Sequence, residues 1–183
     1  MLRFLIITIN LLYSGFTLAQ SSVQIDLILF THPENGSTHS ELDSSSPLIP
    51  VSHNAIPLKK NTGKTISSYS LLSPSQSGLK NEYYLLSHKS RYQVLGHYSW
   101  RQPAKNQSSV ALPELNHNGW IVQGTIRVKQ SNYYLLDTDI HFSPSNNPQS
   151  SLTIAQKQRL KGSEVYYLDH PRVGMLIKIH KIA

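Results

Sequence analysis

The sequence predicts an α+β protein built mainly from an antiparallel β-sheet, with one short helix and a long irregular insertion after the first strand. Most apolar residues beyond residue 91 alternate with polar ones, which is the period of half-buried strands. Turn residues rather than helices separate these stretches, so neighbouring strands should pair antiparallel. Strands and helices do not alternate along the chain, which argues against a parallel doubly wound sheet. We expect about seven strands.

The first 19 residues have the pattern of a signal peptide. A basic start that ends at Arg3 precedes an apolar stretch, residues 4–16, which is too short to span a bilayer. Thr17 and Ala19 supply the small residues of a cleavage site, so we predict cleavage after Ala19. The alternative is an uncleaved anchor. Residues 20–183 are then expected to form one periplasmic domain with no further membrane span.

Charge and cysteine content narrow the classes of function. The chain has 17 Lys and Arg residues against 10 Asp and Glu residues, and removal of Arg3 leaves 16 against 10, a net charge of +6. Such a balance suits an anionic partner, and export argues against nucleic acid as that partner. The absence of cysteine excludes a disulfide scaffold and a thiolate metal site. We expect no cofactor.

The first half of the predicted domain contains one strand, an insertion and a helix. Residues 23–30 (VQIDLILF) are polar at first and later apolar on both faces, which predicts a strand inside the sheet. Residues 32–78 are rich in Ser, Pro and Asn and predict an irregular insertion, whose composition allows mobility. Short extended pieces are expected near residues 48–49 and 66–72, and a functional lid is the alternative. Residues 79–91 predict a short helix that packs one face on the sheet.

The second half is predicted to be mostly strands. Residues 92–101 alternate and predict a strand with one aromatic face, and residues 104–118 predict a loop. Residues 119–142 predict an antiparallel hairpin that turns at residues 130–132 (QSN). Residues 152–160 predict a further strand.

The end of the chain predicts a second hairpin. Residues 165–168 and 175–179 are apolar stretches, and Pro171 interrupts the pattern between them. Gly174 is expected to let the chain turn back. The predicted loop carries three candidate ligand-binding residues: Asp169, His170 and Arg172.

Three blocks of the sequence resemble the CsiV family of Gram-negative bacteria. They are residues 92–103 (YQVLGHYSWRQP), 119–142 (GWIVQGTIRVKQSNYYLLDTDIHF) and 159–179 (RLKGSEVYYLDHPRVGMLIKI). The resemblance covers most of the chain outside residues 32–78 and two shorter loops. It implies a non-enzymatic periplasmic protein that binds peptidoglycan. It also implies a role in wall synthesis with the outer-membrane lipoprotein that activates a class A penicillin-binding protein.

Two groups of residues are candidates for binding peptidoglycan. In the first group, Trp100 could stack on a sugar ring, and Arg101 could grip a peptide carboxylate beside Gln102. The alternative places Trp100 in the core and pairs Arg101 with a neighbouring acid. In the second group, Asp169 and His170 could either contact ligand with Arg172 or hold the turn.

Catalytic and metal-binding motifs are not evident. The nine histidines show no HxH, HxxxH or HExxH spacing, and no G-x-S-x-G motif occurs. Glu164 and Asp169 lie at an odd spacing on one predicted strand, on opposite faces, which argues against a pair of catalytic carboxylates. Two other functions remain open: an envelope assembly or secretion component that adds a partner strand at a sheet edge without binding murein, and an enzyme that acts on murein.

Overall fold

The computed structural model describes residues 21–32, 54–60 and 67–182. These ranges contain twelve strands and one α-helix, and the strands form two sheets around the main apolar core. The first sheet has the order β11 (Val165–Asp169), β12 (Val173–Ile182), β1 (Ser22–Thr31), β5 (Gln93–Pro103), β4 (Ser70–Leu71) and β3 (Lys59–Lys60). The second has the order β10 (Leu152–Leu160), β9 (Tyr134–Pro144), β8 (Trp120–Gln130), β6 (Val110–Ala111) and β2 (Ile56–Pro57), with β7 (Leu115–His117) also paired to β8. The helix α1 spans Lys80–Ser87. The predicted α+β class, mainly antiparallel sheet, is confirmed.

β1 lies at the centre of the first sheet, as its sequence predicts. It pairs antiparallel with β12 on one side and β5 on the other. Ile25, Leu27 and Leu29 are fully buried in the core shared with the second sheet. Burying each of these side chains contributes roughly 2 kcal/mol to the free energy of unfolding. The strand is therefore a main source of stability as well as the template for its neighbours.

A β-bulge divides β5 into two parts. The register shifts between Leu29 and Phe30, which pair with Gly96 and Val94, so that Leu95 is an extra residue. Because a bulge exchanges the two faces of a strand, the predicted single aromatic face of β5 is wrong. Aromatic and apolar side chains lie on the outer face before the bulge and in the shared core after it: Tyr92 and Val94 before, Tyr98 and Trp100 after.

The outer face of the first sheet is covered by α1 and by residues 73–79, here called the covering segment. The predicted helix within residues 79–91 is confirmed as α1. Leu79, Ile28 and Phe30 form a small second core beneath this layer. Gln24 and Asp26, the polar start of β1, are also buried there.

Short strands were missed by the sequence prediction. Residues 104–118, predicted as a loop, contain β6 and β7, and the described parts of the 32–78 insertion contain β2, β3 and β4. Strands of two or three residues are too short to show an alternating pattern. β4, β6 and β7 pair with the long strands β5 and β8, and β3 and β2 then pair with β4 and β6. The extended piece expected near residues 66–72 is β4. The piece near residues 48–49 and the predicted signal peptide, residues 1–19, lie outside the described residues.

Both predicted hairpins are confirmed. β8 and β9 pair along their whole length, and buried side chains alternate with more exposed ones from Val122 to Val128 and from Tyr134 to Phe142. β11 and β12 also pair antiparallel, but Gly174 lies within β12 instead of making the turn. A Cβ atom at Gly174 would lie 2.7 Å from Cζ of Phe30, so glycine is needed for close packing. None of the described helices is long and apolar enough to cross a membrane.

Candidate functional site

The two groups of candidate residues lie at opposite ends of the first sheet. Arg101 pairs with Gln24 near one end of β1, whereas Thr31 pairs with Gln93 and Val173 at the other end. A strand rises about 3.3 Å per residue, so the two ends are roughly 25 Å apart. The structure therefore does not bring the two groups into one site.

Trp100 and Gln102 belong to the core. Trp100 is 0% exposed, and its Nε1 donates a hydrogen bond of 3.2 Å to Oε1 of Gln102. Nε2 of Gln102, a residue 1% exposed, donates to the carbonyl oxygen of Val128 at 3.2 Å. This pair of hydrogen bonds links β5 to β8 of the second sheet. With its ring enclosed, Trp100 has no free face for a sugar, so the stacking role expected for it does not fit this structure.

Arg101 lies half-buried beside this pair. Its Nε is buried, and among the described residues no hydrogen-bond partner is found for it. The described part of the chain also contains no ion pair from Arg101 to an acid. Its backbone oxygen accepts a hydrogen bond of 2.7 Å from the Tyr69 amide, which attaches the residues before β4 to β5.

The loop between β11 and β12 is held by His32. The His32 amide donates to the Arg172 carbonyl oxygen at 3.2 Å, and Nε2 of His32 donates to the His170 carbonyl oxygen at 2.9 Å. The same Nε2 lies 3.5 Å from Oδ1 of Asp169. Asp169 also accepts a hydrogen bond from the hydroxyl of Tyr167. Asp169 and His170 thus take part in contacts that fix the loop and the backbone of Arg172.

Arg172 reaches across to the second sheet. Its Cζ lies 5.8 Å from the ring centroid of Trp120, the first residue of β8. The two side chains stand at an open cleft of about 380 Å³, here called the Arg172 cleft. It is lined by Thr31, His32, Ser90, Arg91, Tyr92, Gln93, Trp120 and Arg172.

The Arg172 cleft combines two guanidinium groups with two aromatic rings. Arg91 and Arg172 supply planar donors that match a carboxylate. Trp120 is partly exposed, and Tyr92 packs edge-on against Phe30 at 5.7 Å between ring centroids. Such rings offer flat, stiff surfaces to a sugar. The arrangement can therefore bind a ligand that carries both carboxylates and sugar rings.

Only part of this cleft was predicted from the sequence. Arg172 was a candidate, whereas Arg91 and Trp120 were missed. The available signal was their position. Arg91 lies two residues before β5 and Trp120 begins β8, and loops at the ends of a rigid sheet often carry binding residues. Their meeting with Arg172 depends on how the two sheets are stacked, which alternation along one strand does not show.

No metal site accompanies the cleft in the part of the chain that the structure describes. There, no three His, Cys, Asp or Glu side chains come together in an arrangement that could hold a metal ion.

Two packed sheets with an open, basic and aromatic cleft at one end form a β-sandwich with a candidate ligand-binding site. A family model described as "Peptidoglycan-binding protein, CsiV" matches residues 2–182, nearly the whole chain, and the protein belongs to this family. The resemblance seen in the sequence is thereby confirmed. Comparisons with curated proteins and with solved structures give no match. Membership of a family of peptidoglycan-binding proteins indicates that this protein is located in the cell envelope.

Proposed function

We propose that this protein binds peptidoglycan through the Arg172 cleft. Arg91 and Arg172 hold carboxylates of the peptide stems, and Trp120 stacks on a sugar ring. The observation that carries the proposal is the placement of the Arg172 guanidinium 5.8 Å from the Trp120 ring, at the mouth of an open cleft. The family description supports peptidoglycan as the ligand.

The loop contacts explain how Arg172 would be presented to a ligand. His32 fixes the backbone on both sides of Pro171, through the carbonyl oxygens of His170 and Arg172. Because the backbone around Arg172 is already fixed, the loop loses less backbone entropy when Arg172 binds a ligand. In this proposal Asp169 and His170 position the loop, and Arg172 makes the ligand contact.

The wider role follows from the family resemblance. We propose a non-enzymatic, periplasmic accessory protein that supports wall synthesis by recruitment. One surface holds murein, and another contacts the outer-membrane lipoprotein that activates a class A penicillin-binding protein. A muropeptide profile that is unchanged after incubation with the purified protein is the expected result for a non-enzyme.

Co-sedimentation with isolated sacculi across a salt series tests the binding site. Arg172→Ala and Arg91→Ala should each weaken binding about tenfold, because a hydrogen bond to a charged group contributes about 1.5–3 kcal/mol. Trp120→Ala should weaken it about as much. Arg101→Ala, which removes the same charge at the opposite end of the sheet, is the matched control and should leave binding unchanged.

Two outcomes would contradict the proposal in different ways. Binding lost in Arg101→Ala but kept in Arg172→Ala would move the site to the other end of the sheet. No pelleting at any salt concentration would exclude direct murein binding. If recruitment uses a second surface, the protein should also capture the lipoprotein activator. Arg172→Ala should capture it as well as the wild type does.

A further inference from the structure

The outer face of the second sheet is basic at one end. Four cationic side chains surround the exposed Leu135 there: Arg127, Lys129, Lys157 and Arg159, here called the basic face. Arg127 is paired with Asp137, whereas the other three have no carboxylate partner within the described ranges. The helix α1 packs on β5 of the first sheet. The basic face lies roughly 30 Å along β8 from Trp120 and is therefore separate from the Arg172 cleft.

The basic face ends at a strand that has one pairing partner among the described residues. Within residues 21–32, 54–60 and 67–182, β10 pairs with β9 alone and forms an edge of the second sheet. Its nine residues keep one register with β9 from end to end, without a bulge and without proline. Alternate N–H and C=O groups of such a strand point away from the sheet, and proteins usually protect long edges by shortening, bulging, covering or charging them. Among the described residues, the protection that β10 carries is charge, from Lys157 and Arg159, which disfavours a basic or apolar strand at this edge and favours an acidic one.

The positions of those cations limit what can pair with the edge. Lys157 and Arg159 are two residues apart on one face of β10, and both are exposed. A second copy of β10 would bring like charges close together, which is unfavourable. A glycan strand has no alternating N–H and C=O groups to complete the hydrogen-bond ladder. A polypeptide with carboxylates at alternate positions satisfies both the ladder and the charges.

We propose that β10 binds an extended acidic segment of a protein partner, which joins the second sheet as an additional strand. Asp or Glu residues at alternate positions of that segment lie opposite Lys157 and Arg159. Directly opposed side chains on neighbouring strands have Cβ atoms about 5 Å apart, which is within reach of a charge pair. On the other face of β10, Gln156 and Gln158 are exposed and accept polar residues of the segment.

A synthetic peptide of alternating Glu and Thr residues tests this inference on the full protein. It should bind more weakly as salt is raised, and it should slow hydrogen exchange of the outward-facing β10 amides. Lys157→Glu with Arg159→Glu should weaken binding of the peptide about tenfold or more, because the substitutions replace attraction with repulsion. Lys80→Glu with Lys89→Glu, the same charge change at exposed positions near α1, is the matched control and should bind as the wild type does. A peptide of alternating Lys and Thr residues should not bind.

The inference is overturned if the acidic peptide does not bind, or binds without protecting β10 amides. It is overturned equally if both double variants lose the same affinity, or if β10 pairs with itself in a dimer that the peptide does not disturb. Sacculus binding measured on Lys157→Glu with Arg159→Glu separates the two proposals. It should be unchanged, and its loss would make the basic face part of the murein surface instead.

Discussion

The outer faces of the two sheets differ in how far their polar side chains are covered. Each carries an aspartate beside a histidine, Asp26 with His180 in the first sheet and Asp139 with His141 in the second. The side chain of Asp26 is 0% exposed beneath the covering segment, whereas that of Asp139 is 59% exposed. The same two residue types therefore form a buried contact on one face and a solvated contact on the other.

The covered face depends on a network of polar contacts around Asp26. Ser99 and Gln24 both donate to its Oδ1, at 2.6 and 3.0 Å. Gln24 also donates to the Gln76 carbonyl oxygen at 2.8 Å, which attaches the covering segment to β1. Oδ2 lies 3.5 Å from Nδ1 of His180. Because Gln24, Asp26 and Ser99 are buried, their polar side chains depend on these hydrogen bonds, and loss of the carboxylate removes the acceptor that Ser99 and Gln24 share.

Removal of that carboxylate should have the largest effect on stability. Asp26→Ala leaves the side chains of Ser99 and Gln24 without their acceptor and should lower the free energy of unfolding by about 3 kcal/mol. Urea unfolding near neutral pH measures this. Asp139→Ala on the outer face of the second sheet, here called the open face, is the matched control, with an expected change within about 0.5 kcal/mol. Equal losses in the two variants would contradict the distinction between the faces.

A methyl group added beneath the covering segment should have the next largest effect. A Cβ atom at Gly78 would lie 2.8 Å from Oδ2 of Asp26, so Gly78→Ala must displace the segment or the carboxylate. We expect a loss of about 1–3 kcal/mol from overpacking, together with faster proteolysis of the covering segment. Gly162→Ala on an exposed turn, where the nearest atom is Cε2 of Tyr134 at 3.2 Å, is the control and should lose less stability, because that ring needs to move by only a few tenths of an ångström. An unchanged stability in Gly78→Ala would show that the segment is only loosely attached.

The covered face should also make stability depend on pH. Burial lowers the pKa of His97 below 6.5, and the charge of Asp26 only partly opposes this shift. The unfolded chain then binds the proton more readily than the folded chain. The contribution of His97 to the free energy of unfolding is therefore present above pH 6.5 and is lost as the pH falls towards the pKa of His97 in the folded protein. His97→Gln should lose less stability than the wild type over that interval, as measured by urea midpoints. The same pH dependence in both proteins would assign the loss to other groups.

The sequence predicted long elements well because they repeat their pattern. β1, β8, β9 and β12 each span ten or eleven residues, enough for alternation to show. The bulge at Leu95 was not predictable, because one extra residue reverses the faces without disturbing the local composition. The two-residue strands depend on partners that are distant in sequence.

The candidate site was predicted less completely, and the two tryptophans show why. Trp100 ends an alternating run beside an arginine, and Trp120 begins one after a glycine, so both look like strand-end aromatics in the sequence. Trp100 is buried because β5 faces the second sheet there, whereas Trp120 stays partly exposed at the end of β8. Which end of a strand is covered depends on tertiary packing, and a single strand does not contain that information.

The smallest effect is expected for the ion pair on the open face. Arg127 and Asp137 are in direct contact, but their side chains are 36% and 28% exposed, so water and salt screen their attraction. Arg127→Gln should therefore lower the free energy of unfolding by only about 0.5 kcal/mol at low salt. A double-mutant cycle with Asp137→Asn, repeated at high salt, isolates the pair and should show the coupling disappear. A coupling of several kcal/mol that persists in salt would mean that this face is covered in solution. It would contradict the distinction between a covered first sheet and an exposed second sheet.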